Sequence, residues 1–348
     1  MYKRQGTDGV TLNGNITTDN TASASVDIAG PVTLGTNITI DTDAANHGGS
    51  ITFASTATIN GNNTLTMISG AGDIALQGVI GGSTELSGLS INATDGDDGD
   101  IEITDIGDGD PAAGVVGTVS IGNADTASLT LDGTRYNTDG TTIYEAVAGS
   151  GSIKLTGANV SITTDNDDLT FDAGNIVLST AGTTTIGTGG GALQIDGTID
   201  GTSSQAENLT ITTGAGSLTI GGTIGGDNPV TTLSIAASGA GAIDLAGIGD
   251  SDTAGATGTT TVGNTTTTTL TLSGTVYKTD DSQTYVAKTG QNIDITGAAT
   301  FTTTNDLVAF NTAGVDLING NAGGAHTITI NTGTGAGAVT FGGAIETD

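Results

Sequence analysis

One short phrase returns along this chain: apolar, polar, apolar, then a turn residue and often an isoleucine. It reads VTLNGNI from Val10, VTLGTNI from Val32, IALQGVI from Ile74, LQIDGTI from Leu193, LTIGGTI from Leu218 and VTFGGAI from Val339. Looser copies begin at Ile51, Ile101, Leu129, Ile153, Ile176, Ile243, Leu270, Ile293 and Val315. Successive starts lie 17 to 28 residues apart, with a mean of about 23–24. A fixed period of that size marks a solenoid, a propeller or an array.

In ITF, LTL or IKL the first and third side chains share one face of a strand and the middle one points the other way. The middle position is polar in thirteen of the fifteen copies, Ala75 and Val177 being the exceptions. One face is therefore dry and the other wet. Between the phrases stand Gly, Asn, Asp, Ser and Thr, which tolerate positive φ or bond their own backbone in turns. A second alternation often sits half a period away, as in ITI from Ile38, LTM from Leu65, LSI from Leu89 and LTI from Leu209. Two or three short strands per turn predict an all-β chain: a single parallel β-helix of about fifteen coils, each of ~23 residues. The phrase starts are expected on one face, one per coil, with Phe53, Phe171, Phe310 and Phe341 in the core.

A larger repeat overlies the small one. NTLTMISGAGDIALQGVIGG from Asn63 returns as ENLTITTGAGSLTIGGTIGG from Glu207, and LTLDGTRYNTDGTTIYEA from Leu129 returns as LTLSGTVYKTDDSQTYVA from Leu270. The larger units are read as 63–206 and 207–346 within a β-helix spanning 6–348. The first five residues, MYKRQ, resemble a translated sequencing-adaptor scar and are set aside. Both ends cut through the repeat, so the chain reads as a fragment whose solenoid continues in both directions.

Thirty-seven acids face six basic residues, a net charge of −31. That balance disfavours nucleic acid, which needs Lys and Arg at phosphates, and anionic lipid surfaces. No apolar run approaches the ~20 residues of a membrane helix, so no insertion of this segment is expected. The absence of cysteine suits a solenoid held by hydrogen-bond ladders. Low-complexity disorder would not keep apolar residues in phase along the chain.

Coils such as LTITTGAGSLTIGGTIGG followed by TTLSI resemble the β-strand repeats of very large bacterial surface proteins. Those are related in style to filamentous-haemagglutinin-like adhesins and autotransporter passengers. The resemblance covers nearly all of the chain from Val10 and is one of composition and structure. It implies a right-handed β-helix, secretion to the bacterial cell surface, and a stalk or adhesive role. The implied partner is a glycan or protein on a host or neighbouring cell. It carries no catalytic residues across.

Two clusters stand out as candidate sites. Asp95, Asp97, Asp98, Asp100, Asp105, Asp108 and Asp110 form the densest acid run, and carboxylates are proper Ca²⁺ ligands. The spacing is not that of an EF-hand, with Gly99 and Ile106 where ligands belong, and the other reading is a solvated loop. No other cofactor is expected. Tyr136, Tyr144, Tyr277 and Tyr285 recur in the paired segments RYNTDGTTIY and VYKTDDSQTY beside Arg135 and Lys278. A tyrosine face near a cation suits stacking on a sugar ring, and the other reading is that these rings cover a coil edge. His47 and His326 are isolated and the five glutamates scattered, so no enzyme is expected. The alternatives are a glycan-binding or polysaccharide-processing β-helix, and an ice-binding solenoid using the Thr-x-Thr phrases. The uneven steps argue against the regular threonine array that ice binding needs.

Overall fold

The computed structural model describes residues 2–4, 9–18, 24–44, 48–93, 99–108, 114–147, 149–310, 316–319 and 326–346. Among them there is no helix, and every strand pair is parallel. The chain divides into two compact units, Met1–Ile176 and Val177–Asp348. Each is a parallel β-solenoid in which a strand pairs with its counterpart one turn later.

In the first unit, strands Ile51–Phe53, Ile74–Leu76, Asp100–Ile103, Ser128–Leu131 and Ser152–Leu155 form one ladder. Its register puts Ile51, Ile74, Ile101, Leu129 and Ile153 in one inward column, each at most 1% exposed. On a second face Ile40, Met67, Ile91, Ile121, Tyr144 and Phe171 stack in the same way. A third face carries Val10, Val32, Ile59, Ile80, Ile106, Tyr136 and Ile162, partly through single bridges. The second unit repeats the pattern, with one column of Leu193, Leu218, Ile243, Leu270 and Ile293. Another column there holds Ile211, Ile235, Val262, Tyr285, Phe310 and Phe341.

These columns explain the phrase. Its apolar-polar-apolar part is a strand, its glycine a corner, and its final isoleucine the first inward residue of the next face. Leu76 and Ile80 illustrate this, the first in a strand and the second bridging Ile59 and Ile106 on the next face. In IGG the glycine after the isoleucine is required. Gly81 and Gly225 both have φ of +69°, and a Cβ there would collide with the carbonyl oxygens of Gly114 and Gly255 one turn on.

Two expectations need correction. The phrases do not all begin on one face. Val10 and Val32 begin on the face of Ile59 and Ile80, whereas Ile51 and its successors begin on another. In the second unit Val339 pairs with Val308, away from the Leu193 ladder. Every corner of a three-faced turn can carry the same local sequence, so phrase count and turn count differ. The turns number about 12, not fifteen. The step of 19 residues from Val32 to Ile51 is one place where the phrase changes face. Val315 and His47 lie outside the described residues.

Phe53 and Phe171 are fully buried and Phe310 is 3% exposed, as expected, but Phe341 is 39% exposed. It sits on a strand, Val339–Phe341, whose outer edge has no partner among the described residues. Phe171→Ala should therefore cost about 3–5 kcal/mol. Phe341→Ala should cost less than about half that, because much of the ring is already in water. Midpoints of urea unfolding check both, and equal losses would contradict the burial difference.

Candidate functional site

The four tyrosines are the largest fully buried side chains among the described residues, each 0% exposed. None offers a ring face to a sugar, and none is a surface cover, so both readings of them are corrected. Tyr136 and Tyr277 act instead as internal clamps. The Tyr136 hydroxyl donates to the Ile103 carbonyl at 2.8 Å and accepts from the Gly133 amide at 2.7 Å. Tyr277 does the same with Leu245 and Gly274, at 2.9 Å each. The signature is Gly-Thr-x-Tyr: the hydroxyl ties its own corner to the turn before it. Gly133 must lack a Cβ, which would collide with the Thr104 carbonyl. Burial pushes both phenols well above their ordinary pKa, against the lowering effect of the glycine amides, so both stay neutral donors.

The other two tyrosines differ. Tyr285 donates to Gln283 Oε1 at 3.0 Å, and Gln283 Nε2 donates to the carbonyls of Tyr277 and Thr302 at 2.9 and 2.7 Å. The first unit has Thr142 where the second has Gln283. Its shorter side chain bonds Thr138 and Gly140 instead, and the Tyr144 hydroxyl is left without a hydrogen bond. Tyr144 is held by stacking on Phe171, with centroids 5.3 Å apart.

Of the acid run, Asp95, Asp97, Asp98 and Asp110 lie outside the described residues. Asp105 Oδ1 accepts from the amides of Thr134 and Arg135, both at 2.8 Å, and so fixes the corner of the next turn. The Asp100 amide donates to Asp73 at 3.1 Å, and burial followed by the Asp73 charge raises the Asp100 pKa. In the second unit Asp250 accepts from the Thr253 and Asp252 amides, which lower its pKa. Among the described residues no three His, Cys, Asp or Glu side chains are grouped as a metal site.

Composition gave no hint of a further set of corner staples. Asn60 Oδ1 accepts from the Ser83 and Thr84 amides, and Asp200 Oδ1 accepts from those of Asp227 and Asn228. The available signal was Ile-Asn-Gly at 59–61 recurring as Ile-Asp-Gly at 199–201. Beside Asp200, the buried Glu207 accepts from Thr202, Ser204 and Ala206 and closes the loop between them. Burial alone would raise its pKa, but the hydrogen bonds from Thr202 and Ala206 outweigh it, and the net shift is downward.

On the wet side, Thr185, Thr210, Ser234, Thr261 and Thr284 form a single file of hydroxyls in register. The neighbouring file reads Gly187, Thr212 and Ala236, so no two-file threonine array is built there. One polar concavity of about 360 Å³ is lined by Asn62, Ser83, Thr84, Glu85 and Asp108, with no basic side chain in its wall.

Tyr277→Phe should cost about 1–3 kcal/mol, because it leaves the Gly274 amide without its acceptor, while the Leu245 carbonyl keeps only the Ser273 amide. Tyr144→Phe should leave the urea midpoint unchanged or raise it, since the hydroxyl it removes bonds nothing. Equal destabilisation by the two would contradict the clamp. Comparison with protein-family models, with curated proteins and with solved structures returns no match.

Proposed function

We propose that this chain is a non-enzymatic structural segment, a stalk or adhesive shaft, of a secreted bacterial surface protein. The observation that carries the reading is the repeated internal use of chemistry-bearing side chains. Tyr136 and Tyr277 bind corners of the preceding turn, and Asp105, Asn60, Asp200, Asp250 and Glu207 bind backbone amides of corners and loops. Groups so committed hold turns in register and are poorly placed for proton transfer to a substrate. The net charge of −31 suits a solvated extracellular surface and repels nucleic acid and anionic lipid. On this reading, contact with a glycan or protein of another cell runs through the wet faces.

The chain incubated with pectin, chitin and starch should release no reducing ends. Pulled between two handles in an optical trap, it should yield in steps of one or a few turns, about 85 Å of contour per turn of some 25 residues at ~3.4 Å per residue. Depolymerase activity that disappears on replacing a pair of carboxylates would overturn the reading in favour of an enzyme.

A further inference from the structure

The two compact units share one fold, yet they fill the same place in the core differently. In the second unit Tyr277 stacks on Phe301 one turn on, with centroids 4.9 Å apart, and Tyr285 stacks on Phe310 at 5.4 Å. The two stacks stand on different faces and meet edge to face across the interior. Tyr285 and Phe301 lie 5.5 Å apart at 80°, and Phe301 and Phe310 lie 5.0 Å apart at 84°. Tyr277 and Tyr285 complete the cluster at 6.1 Å and 87°. Tyr277, Tyr285 and Phe301 are fully buried, and Phe310 nearly so.

Hydrogen bonds tie the same turns together. The Tyr277 hydroxyl reaches back to the Leu245 carbonyl, and the Tyr285 hydroxyl donates to Gln283. The Gln283 amide in turn donates to the carbonyls of Tyr277 and Thr302. Three successive turns are thereby stitched by side chains as well as by the backbone ladder. The first unit has Tyr136 and Tyr144 at the matching places, but Ile162 stands where Phe301 does, and Thr142 where Gln283 does. There the Tyr144–Phe171 stack is the one ring contact among the described residues of that unit.

Turns of a solenoid are coupled to their neighbours alone, so stability varies along the stack and each stretch opens with its own free energy. Stacked and edge-to-face aromatic pairs add to what burial contributes. A satisfied side-chain network in a low-dielectric interior resists the opening of any one member. We propose that the four rings and Gln283 form a lock that keeps residues 269–310 folded while the matching stretch, 128–172, opens. Under load the unlocked turns give length first, and the locked turns remain as a folded template on which their neighbours re-form. This goes beyond the shaft reading and stands without it, because it concerns only the order of opening.

Native-state hydrogen exchange of the whole chain at rising urea, read by peptide mass, measures that order. Amides of Thr269–Leu272, Gln283–Val286 and Val308–Phe310 should exchange about tenfold or more slower than those of Ser128–Leu131, Thr142–Glu145 and Leu169–Asp172. Phe301→Ile gives the second unit the residue of the first, and should bring the slow set to the rate of the fast one while leaving the fast set unchanged. Equal rates in the wild type, a slower first set, or a loss in Phe301→Ile shared equally by both units would each overturn the proposal. Should Phe301→Ile fail to fold, Gln283→Thr keeps all four rings and decides the same question. Faster exchange confined to the second set supports the lock, and an unchanged rate or a rise in both sets contradicts it.

Discussion

Everything in this molecule depends on the parallel backbone ladder between one turn and the next. A turn of some 25 residues has too few apolar side chains to bury a core of its own. Stacked at the ~4.8 Å strand spacing, its inward residues fall directly on those of its neighbours and form continuous columns. Each rung adds two kinds of stabilisation at once: hydrogen bonds of about 0.5–1.5 kcal/mol net, and burial of the residues it aligns. The column Tyr285, Phe310 and Phe341 shows the alignment most plainly, with stacked ring centroids 5.4 and 5.5 Å apart.

The ladder also dictates the chemistry of the corners. Polar atoms at the corners bond either within their own loop, as Asp250 and Glu207 do, or to the neighbouring turn, about one period along the chain. Asp105 reaches 29 and 30 residues to Thr134 and Arg135, and the Tyr136 hydroxyl reaches 33 residues back to Ile103. Glycine stands where another carbonyl approaches too closely for a Cβ, as at Gly81 and Gly225. The abundance of glycine, threonine and aspartate is thus a structural consequence of stacking as much as of solubility.

The fold class was legible in the sequence because period and alternation are properties of the ladder itself. The face on which each phrase begins was not, since strand, corner and isoleucine look alike at every corner of a turn. The tyrosines were misread for a related reason. A phenol beside Arg135 or Lys278 suggests a wet surface, yet the partner that makes burial favourable is a backbone carbonyl about a period away, invisible in composition. The signal was present in Gly-Thr-x-Tyr at 133–136 and 274–277, where the glycine amide is the other half of the clamp. Phe341 was assigned to the core on hydrophobicity alone, whereas burial needs a turn on both sides.

The most direct test of the stacking register uses the absence of cysteine from the chain. Thr219 and Asp244 are partners on adjacent turns, and Ala242 lies two residues from Asp244 on the same strand. A Thr219→Cys, Asp244→Cys variant places the two Cα atoms about one strand spacing apart, inside the 4.4–6.8 Å range that a disulfide spans. Thr219→Cys with Ala242→Cys places them beyond about 7 Å. Mild oxidation should cross-link the first pair quantitatively and leave the second as free thiols. A disulfide in the offset pair, or none in the matched pair, would contradict the parallel register on which the account rests.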